Sequence, residues 1–163
     1  MGKIRPVAWI IIGLHLHCFA LPLWLSLSHC AQLVTNMTDT PEMLGEDHDE
    51  NYDIFIEDAL ETGCVWGLEH SEGWAICPSN KNETLDVMPM WSQPEYAEFH
   101  CRQEWKDYKP VPIAVEELLD DWLPGMHEDL LLIGPNWNTE LEGLEVEPLD
   151  LLEDVDRSAA DSA

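Results

Sequence analysis

The chain is short of positive charge: its 163 residues include 7 lysines and arginines against 33 aspartates and glutamates. The formal net charge of −26 excludes nucleic acid and anionic membrane as direct partners, because both would repel the protein. A basic protein, a basic peptide or a divalent cation would instead be attracted. That association would weaken as salt screens the charges.

Long apolar runs are also scarce, since only residues 7–27 form one. Lys3 and Arg5 precede this run and small residues follow it, which predicts a secretory signal peptide over residues 1–31. A retained membrane anchor is the alternative, but Pro22 inside the run disfavours a lipid-facing helix. We therefore expect passage through the ER lumen, secretion, and no membrane association after cleavage.

Two N-glycosylation sequons become usable if the chain is translocated. Asn36 is followed by Met and Thr, and Asn82 by Glu and Thr. Both asparagines are predicted acceptors, so the sequence predicts a secreted glycoprotein with both sites on the surface.

The five cysteines include no C-x-x-C pair, so their spacing disfavours a zinc site. Cys18 leaves with the leader, and Cys30 leaves too unless cleavage follows residue 28. Cys64, Cys77 and Cys101 remain in either case. An odd number of thiols would permit an intermolecular bridge, so a disulfide-linked dimer is one possible outcome.

Catalytic signatures are missing as well. The sequence has no G-x-S-x-G, no H-E-x-x-H and no glycine-rich phosphate loop. His100 and Cys101 are adjacent on a predicted helix, where neighbours diverge by about 100° and do not face each other. We therefore expect no enzyme activity, catalytic residue, cofactor or metal ligand.

One segment resembles an EF-hand calcium loop in the spacing of its acids. It begins at Asp47 and ends at Asp58, and the resemblance covers twelve residues only. Tyr52 stands where the tight turn needs glycine, and Asp58 stands where a bidentate glutamate is usual. Weak, diffuse calcium binding by an acid-rich segment is the simpler interpretation.

Residues 63–77 predict a β-hairpin, because two apolar runs flank a polar stretch that is followed by Gly73. With a four-residue loop, Leu68 faces Gly73 and Cys64 faces Cys77. Opposed cysteines of a closely spaced antiparallel pair lie within disulfide reach. The predicted disulfide is therefore Cys64–Cys77.

Residues 92–108 predict a helix that begins with a capping box, Ser92 followed by Glu95. Pro110 would end it. Residues at helical spacing would then form one apolar face toward the hairpin. These residues are Ala97, Cys101, Trp105 and Tyr108.

Charge divides the chain into segments. Residues 39–61 hold ten acids and no base, and residues 110–163 hold fifteen acids and one base. The sequence thus predicts a signal peptide (1–31), an acidic disordered arm (32–51), a small Cys/Trp-rich core domain (52–109) and an acidic tail with short amphipathic helices (110–163). Those helices either fold on a partner or dock on the core. The fold class is α+β, with a small disulfide-assisted hairpin-plus-helix core and acidic, largely disordered flanks.

These features favour a non-enzymatic secreted protein that binds a basic protein or peptide, such as a receptor or a cytokine. A cytokine or chemokine modulator, a receptor ligand and an immune-evasion protein all fit. A lumenal protein that buffers calcium or assists folding is the alternative. The predicted partner-binding residues are Trp66, Trp74, Trp105 and Trp122.

Overall fold

The computed structural model of the chain describes residues 43–161. These residues are 44% helical and 24% strand, which confirms the predicted α+β class. The predicted signal peptide and Asn36 lie outside the described residues.

Five α-helical segments occur in the described residues. In chain order they are α1 (His48–Thr62), α2 (Pro94–Phe99), α3 (Val115–Glu117), α4 (Leu123–Glu128) and α5 (Pro148–Asp161). A 3₁₀ turn spans Gln103–Trp105, and a π-helical segment spans Leu118–Trp122. Because the backbone stays right-handed through both junctions, α3, the π segment and α4 form one helical stretch, residues 115–128.

The strands form two three-stranded sheets, one ordered β2-β1-β5 and the other β3-β4-β6. Neighbouring strands are antiparallel, except that β4 and β6 are parallel. The strands are β1 (Cys64–His70), β2 (Gly73–Trp74), β3 (Cys77–Pro78), β4 (Asp86–Met90), β5 (Lys109–Ala114) and β6 (Leu131–Pro135).

Two tryptophans join the sheets. The backbone N–H of Trp66 donates to the Trp91 carbonyl at 2.7 Å, and the N–H of Trp91 donates to the Trp66 carbonyl at 2.8 Å. This isolated bridge connects β1 to the chain just after β4. The two sheets are therefore joined by this one pair of backbone hydrogen bonds.

Residues 52–60 alternate apolar and acidic side chains imperfectly, a pattern that fits either a strand edge or a short helix, and in the structure they are helical and belong to α1. Asp47 caps α1 by accepting hydrogen bonds from the N–H groups of Asp49 and Glu50, both at 3.2 Å. Gly63 ends it in the left-handed region, at φ 73°. The EF-hand-like spacing consequently falls on a cap and a helix rather than on a loop.

The main hydrophobic core lies between the helices and the two sheets. Helices α1, α5 and the 115–128 stretch all contribute to it, together with β1, β4, β5 and β6. Its fully buried side chains include Phe55, Leu118, Leu123, Ile133 and Leu151. A second cluster contains Leu68, Trp91, Ala97 and Trp105.

A buried asparagine connects three of these elements. The Asn136 side chain is fully buried, and its Oδ1 accepts from the Ser92 N–H at 2.8 Å. Its Nδ2 donates to Ser92 Oγ at 3.0 Å and to the carbonyl of Asn51 at 3.2 Å. The ends of β4 and β6 are thereby tied to the first turn of α1.

The hairpin register and the Cys64–Cys77 disulfide were predicted wrongly. In the structure Glu69 faces Trp74 and His70 faces Gly73, so the loop has two residues rather than four. Cys77 lies in β3, which belongs to the second sheet, and it faces Val87 of the neighbouring strand β4. The thiols of Cys77 and Cys101 are both free. The physical reason is that the backbone of Trp66 bonds to Trp91 instead of following the hairpin.

The long helix predicted over residues 92–108 is also wrong, because only α2 and a 3₁₀ turn form there. Ser92 does not cap α2, since its hydroxyl donates to Asp58 Oδ2 at 2.7 Å. The helix ends where His100 stacks on Trp91, with ring centroids 4.8 Å apart. The predicted apolar residues nevertheless gather in one cluster, which contains Ala97 and Trp105, with Cys101 and Tyr108 packed against it.

The disordered flanks and the domain boundaries differ from the structure as well. Residues 48–51 of the predicted arm are the first turn of α1. In the predicted tail, β6 pairs with β4 along its whole length, and α5 buries Leu151 and Val155 in the main core. The boundary at residue 109 falls on β5. A parallel pairing between residues 45 apart in sequence (131 − 86 = 45) leaves no local signal that could reveal it.

Strand β5 is a sheet edge that carries two prolines, Pro110 and Pro112. Pro110 faces Leu68, and Pro112 faces Trp66. The Leu68 carbonyl accepts from the Ala75 N–H, and Trp66 exchanges hydrogen bonds with Trp91, so these groups point away from β5. Positions 110 and 112 therefore form non-hydrogen-bonded pairs with β1, and their nitrogens point outward. Because proline has no N–H, this outer edge lacks two donors that another strand would need.

Replacing Pro110 and Pro112 together with valine should open this edge and promote self-association. The negative charge of the chain opposes association, so the effect should increase with salt as repulsion is screened. Sedimentation velocity at low and high salt measures it, with Pro124→Ala as a control away from the sheets. A double variant that stays monomeric at high salt would contradict the edge argument.

His100 links stability to pH. Its side chain is 8% exposed, and burial, aided by the charge of Arg102, lowers its pKa from 6.5 to about 4. A hydrogen bond to the backbone of Trp137 opposes this shift. The unfolded chain therefore takes up a proton near pH 6.5 that the folded chain resists until about pH 4.

The free energy of unfolding should accordingly fall as the pH drops from 6.5 to 4. This contribution amounts to roughly 3 kcal/mol, at about 1.4 kcal/mol per pKa unit. Urea unfolding of the wild type and of His100→Gln at pH 7 and pH 4.5 tests it. The variant should lose less stability than the wild type, and equal losses would show that His100 is not responsible.

Candidate partner-binding surface

The helices on the outside of the main core carry many exposed carboxylates, which together are here called the acidic helical face. It consists of the exposed carboxylates of α1, of the 115–128 stretch and of α5. Its fourteen members are Asp49, Glu50, Asp53, Glu57, Glu61, Glu116, Glu117, Asp120, Asp121, Glu128, Asp150, Glu153, Asp156 and Asp161.

Helical periodicity separates these acids from the core. On α1 the residues facing inward are Phe55, Ile56 and Ala59, whereas the exposed acids recur at steps of four from Asp49 to Glu61. A step of four residues advances about 6 Å along the helix axis. Helix α5 packs against both α1 and α4, so it connects the acidic helices of the face.

Few counter-charges are available near this face. Within the described residues the one salt bridge joins Arg157 to Asp154, with 2.6 Å between Nη1 and Oδ1. Arg157 is the single base on the helices of the face. The other bases in the described part are Lys81, Arg102, Lys106 and Lys109, which lie in loops, in the 3₁₀ region and at the start of β5. Lys109 is separated from the helical stretch by the length of β5, about 17 Å at 3.4 Å per residue.

A tyrosine fixes the two longest helices of the face to each other. The hydroxyl of Tyr52 donates to Asp154 Oδ2 at 2.8 Å. Burial and this hydrogen bond raise the pKa of Tyr52 well above its usual range. The phenol therefore keeps its proton, and with it the link between α1 and α5, at any physiological pH.

Trp74 and Trp122 meet next to the acidic stretch of residues 116–121. Their rings are perpendicular, with centroids 4.9 Å apart, and both side chains are half-buried. Trp122 ends the π segment, which places it beside Asp121. Trp74 lies over Gly67, where an added Cβ would be 3.0 Å from the indole.

The structure brings together only two of the four predicted partner-binding tryptophans. Trp105 is 3% exposed inside the second cluster, so its predicted role as an exposed anchor is wrong. Trp66 packs against that same cluster rather than beside Trp74 and Trp122. The residues near a tryptophan in the sequence do not indicate which face of a sheet its side chain will occupy.

The predicted glycan acceptor Asn82 is exposed between β3 and β4. Its Oδ1 accepts from the N–H of Thr84 at 3.0 Å and from Thr84 Oγ1 at 2.7 Å. The sequon thus forms a short turn at the surface, where an asparagine is accessible to modification. Glycosylation at Asn82 stays a prediction.

Cys77 has no features of a reactive thiol. Burial raises the pKa of Cys77 to about 12, and Glu145 and Asp86 add to this shift. Its Sγ lies 3.8 Å from the carbonyl of Val87, to which it donates. A thiol with a pKa this high stays protonated at neutral pH, and the protonated form is a poor nucleophile.

Sequence reasoning missed Leu130, which directly follows Asp129 at the end of α4. Its side chain is 71% exposed and its φ is +57°, in the left-handed region that leucine rarely adopts. The sequence gives no signal for its exposure, because Leu130 belongs to a run of three leucines, 130–132, and only the structure shows that β6 uses the last two. Leu130 therefore adds an exposed apolar side chain at the end of the acidic helical face.

In the part of the chain that the structure describes, no cluster of three or more His, Cys, Asp or Glu side chains could hold a metal ion. Within the same residues, no helix is long and apolar enough to cross a membrane.

Comparison with known families gives one match. A family described as "Protein of unknown function (DUF2750)" matches residues 52–155. The chain belongs to this family. The matched region runs from Tyr52 in α1 to Val155 in α5, so the family domain includes both sheets and most of both helices. No curated protein and no solved structure matches the chain.

Proposed function

We propose that this family member is a non-enzymatic binding protein that takes a basic protein or peptide on its acidic helical face. The observation that carries the proposal is the presence of fourteen exposed carboxylates on adjoining helices whose single base, Arg157, is already paired with Asp154. Such a surface attracts positive partners and speeds their encounter.

Repulsion within the face supports this interpretation. On α1, Asp53 and Glu57 stand four residues apart, as do Glu57 and Glu61, a spacing at which like charges destabilise an α-helix by a few tenths of a kcal/mol. Asp53, Asp150 and Asp154 all lie near enough to Tyr52 to act on its ionisation. A basic partner would neutralise these carboxylates and remove their repulsion. The free energy that this repulsion costs the unbound protein would then favour the complex.

Apolar contact would come from the edge of the face. Trp74 and Trp122 are half-buried, and Leu130 projects into solvent. Interfaces draw most of their affinity from a few aromatic or aliphatic anchors surrounded by polar residues. The carboxylates would then set the rate of association and the choice of partner, and these side chains would slow dissociation.

Charge-neutral substitutions on the face test the proposal. A face variant, Asp53→Asn with Glu57→Gln, Glu61→Gln, Glu153→Gln and Asp156→Asn, should weaken binding of polylysine about tenfold. A matched variant removes five exposed acids elsewhere: Glu83→Gln, Glu98→Gln, Glu104→Gln, Asp107→Asn and Glu140→Gln. It should bind nearly as well as the wild type.

Calorimetry at low and high salt gives the affinities, and the wild-type affinity should fall steeply with salt. Equal weakening in both variants would mean that net charge alone attracts the polycation. Affinity that does not depend on salt would refute an electrostatic interface altogether.

We also propose that the binding protein is secreted and glycosylated, and this part rests on the sequence alone. Expression in a secreting eukaryotic cell should place the protein in the medium. Peptide-N-glycosidase should then lower its mass, and Asn82→Gln should remove part of that shift. Protein that stays in the cytosol without a glycan would refute secretion and leave the binding proposal intact.

A further inference from the structure

We infer that the angle between Trp74 and Trp122 is a binding site for a quaternary ammonium group, presented by a trimethylated lysine of the basic partner. This inference rests on the proposed function, because that partner carries the lysine. It narrows the function by naming one side chain that the protein selects. The site is here called the tryptophan corner.

The two indole rings form a right angle at the surface. Their planes are 89° apart and their centroids 4.9 Å apart, so the edge of one ring meets the face of the other. Both side chains are half-buried, which leaves part of each in contact with solvent. An edge-to-face pair leaves a recess between two ring faces, and a cation in that recess can lie within about 6 Å of both centroids.

The tryptophan corner lies at the end of the main core. On one face of β1, Val65 is fully buried in that core, and an added Cβ at Gly67 would lie 3.0 Å from Cζ3 of Trp74. Trp74 therefore covers Gly67. The next residue on the same face is Glu69, which is exposed. The corner thus closes the core on its inner side, and Glu69 borders it on the solvent side.

Strand pairing fixes this carboxylate beside the corner. Glu69 is the direct cross-strand partner of Trp74, and side chains of directly opposed residues lie on the same face, with Cβ atoms about 5 Å apart. Lys109 faces Glu69 from β5, but no salt bridge joins the two in the part of the chain that the structure describes. The Glu69 carboxylate is therefore available to the cation of a ligand.

The π-helical segment sets the direction of Trp122. The N–H of Leu123 donates to the carbonyl of Leu118, five residues earlier, instead of four as in an α-helix. Leu118 and Leu123 are 1% and 0% exposed, so this wider turn places both leucines on the core side. Trp122 is thereby turned away from the position directly above Leu118 and contacts Trp74. Single π turns occur frequently at functional sites.

The chemistry of the two walls favours a cation without N–H groups. An indole has one donor and no acceptor, and its faces carry negative partial charge. A primary ammonium would give up water at the rings without receiving an acceptor in exchange. A quaternary ammonium has no such hydrogen bonds to lose, and its methyl groups would contact both rings while Glu69 balances its charge. Trimethyllysine is a protein side chain that carries this group.

A comparison of two peptides tests the inference. One short peptide carries a single trimethyllysine, and the other carries the neutral isostere in which carbon replaces the quaternary nitrogen. Each is titrated into the ¹⁵N-labelled protein at constant ionic strength, and NMR follows the indole N–H signals. The charged peptide should shift the signals of Trp74 and Trp122, and it should bind about tenfold more tightly than the isostere.

Three variants locate the site. Trp122→Leu keeps an apolar side chain but removes one ring, so it should weaken binding of the trimethyllysine peptide about tenfold. Trp66→Leu is the matched control and should not change the affinity, because Trp66 is also half-buried but packs against the second cluster. Glu69→Gln leaves both rings in place. It should weaken binding of the charged peptide about threefold without affecting the isostere, and it tests the site even if Trp122→Leu does not fold.

Equal affinity for the two peptides would show an apolar recess that does not select a cation, and it would overturn the inference. Undiminished binding to both Trp122→Leu and Glu69→Gln would overturn it as well, because the cation would then lie elsewhere. Polylysine separates the two proposals. Binding of polylysine but not of the trimethyllysine peptide would refute the tryptophan corner and leave the proposed function intact, whereas binding of neither would refute both.

Discussion

The side-chain amide of Asn136 is the interaction on which the arrangement of the molecule depends. It is fully buried and bonds to Ser92 and to the carbonyl of Asn51, so one side chain joins β4, β6 and α1. The residue itself sits at φ +46°, which asparagine tolerates better than most residues. Together with the Ser92 hydroxyl, which donates to Asp58 Oδ2 on the same helix, this junction gives α1 a directional contact with the sheets that apolar packing alone would not provide. The position of the acidic helical face therefore follows from a contact deep inside the protein.

Local sequence signals predicted part of this fold. The α+β class was confirmed, and the apolar residues of the 92–108 segment were rightly grouped although their single helix was wrong. The features that escaped prediction all depend on distant partners. Trp66 bonds to Trp91, and β4 pairs with β6 although α2, β5 and the 115–128 stretch lie between them in the chain. The hairpin register was derived from neighbouring residues and could not include the contact between Trp66 and Trp91. The β4–β6 pairing was missed because the segment that contains β6 was interpreted as an acidic tail.

The sequence predicted the chemistry of the candidate surface but not its location. Composition already indicated an attraction to basic partners, yet it assigned the acids to disordered flanks. Folding instead puts them on α1, on α5 and on the 115–128 stretch, because each of these elements buries an apolar side in the main core. Of the tryptophans, Trp74 and Trp122 meet while Trp105 is buried, a distinction that requires knowing which side of each sheet the helices cover.

The outer edges of the sheets restrict how this protein can recognise anything. Pro110 and Pro112 remove donors from the edge of β5, β2 and β3 are two residues long, and Val146 bridges to Ile133 on β6. In the described part of the chain no long, unoccupied edge remains for β-augmentation by a peptide. The proposed recognition instead uses side chains on helices, and substitutions can change these side chains without altering the backbone. Relatives with this scaffold could diverge in ligand preference while retaining the same strand pairings.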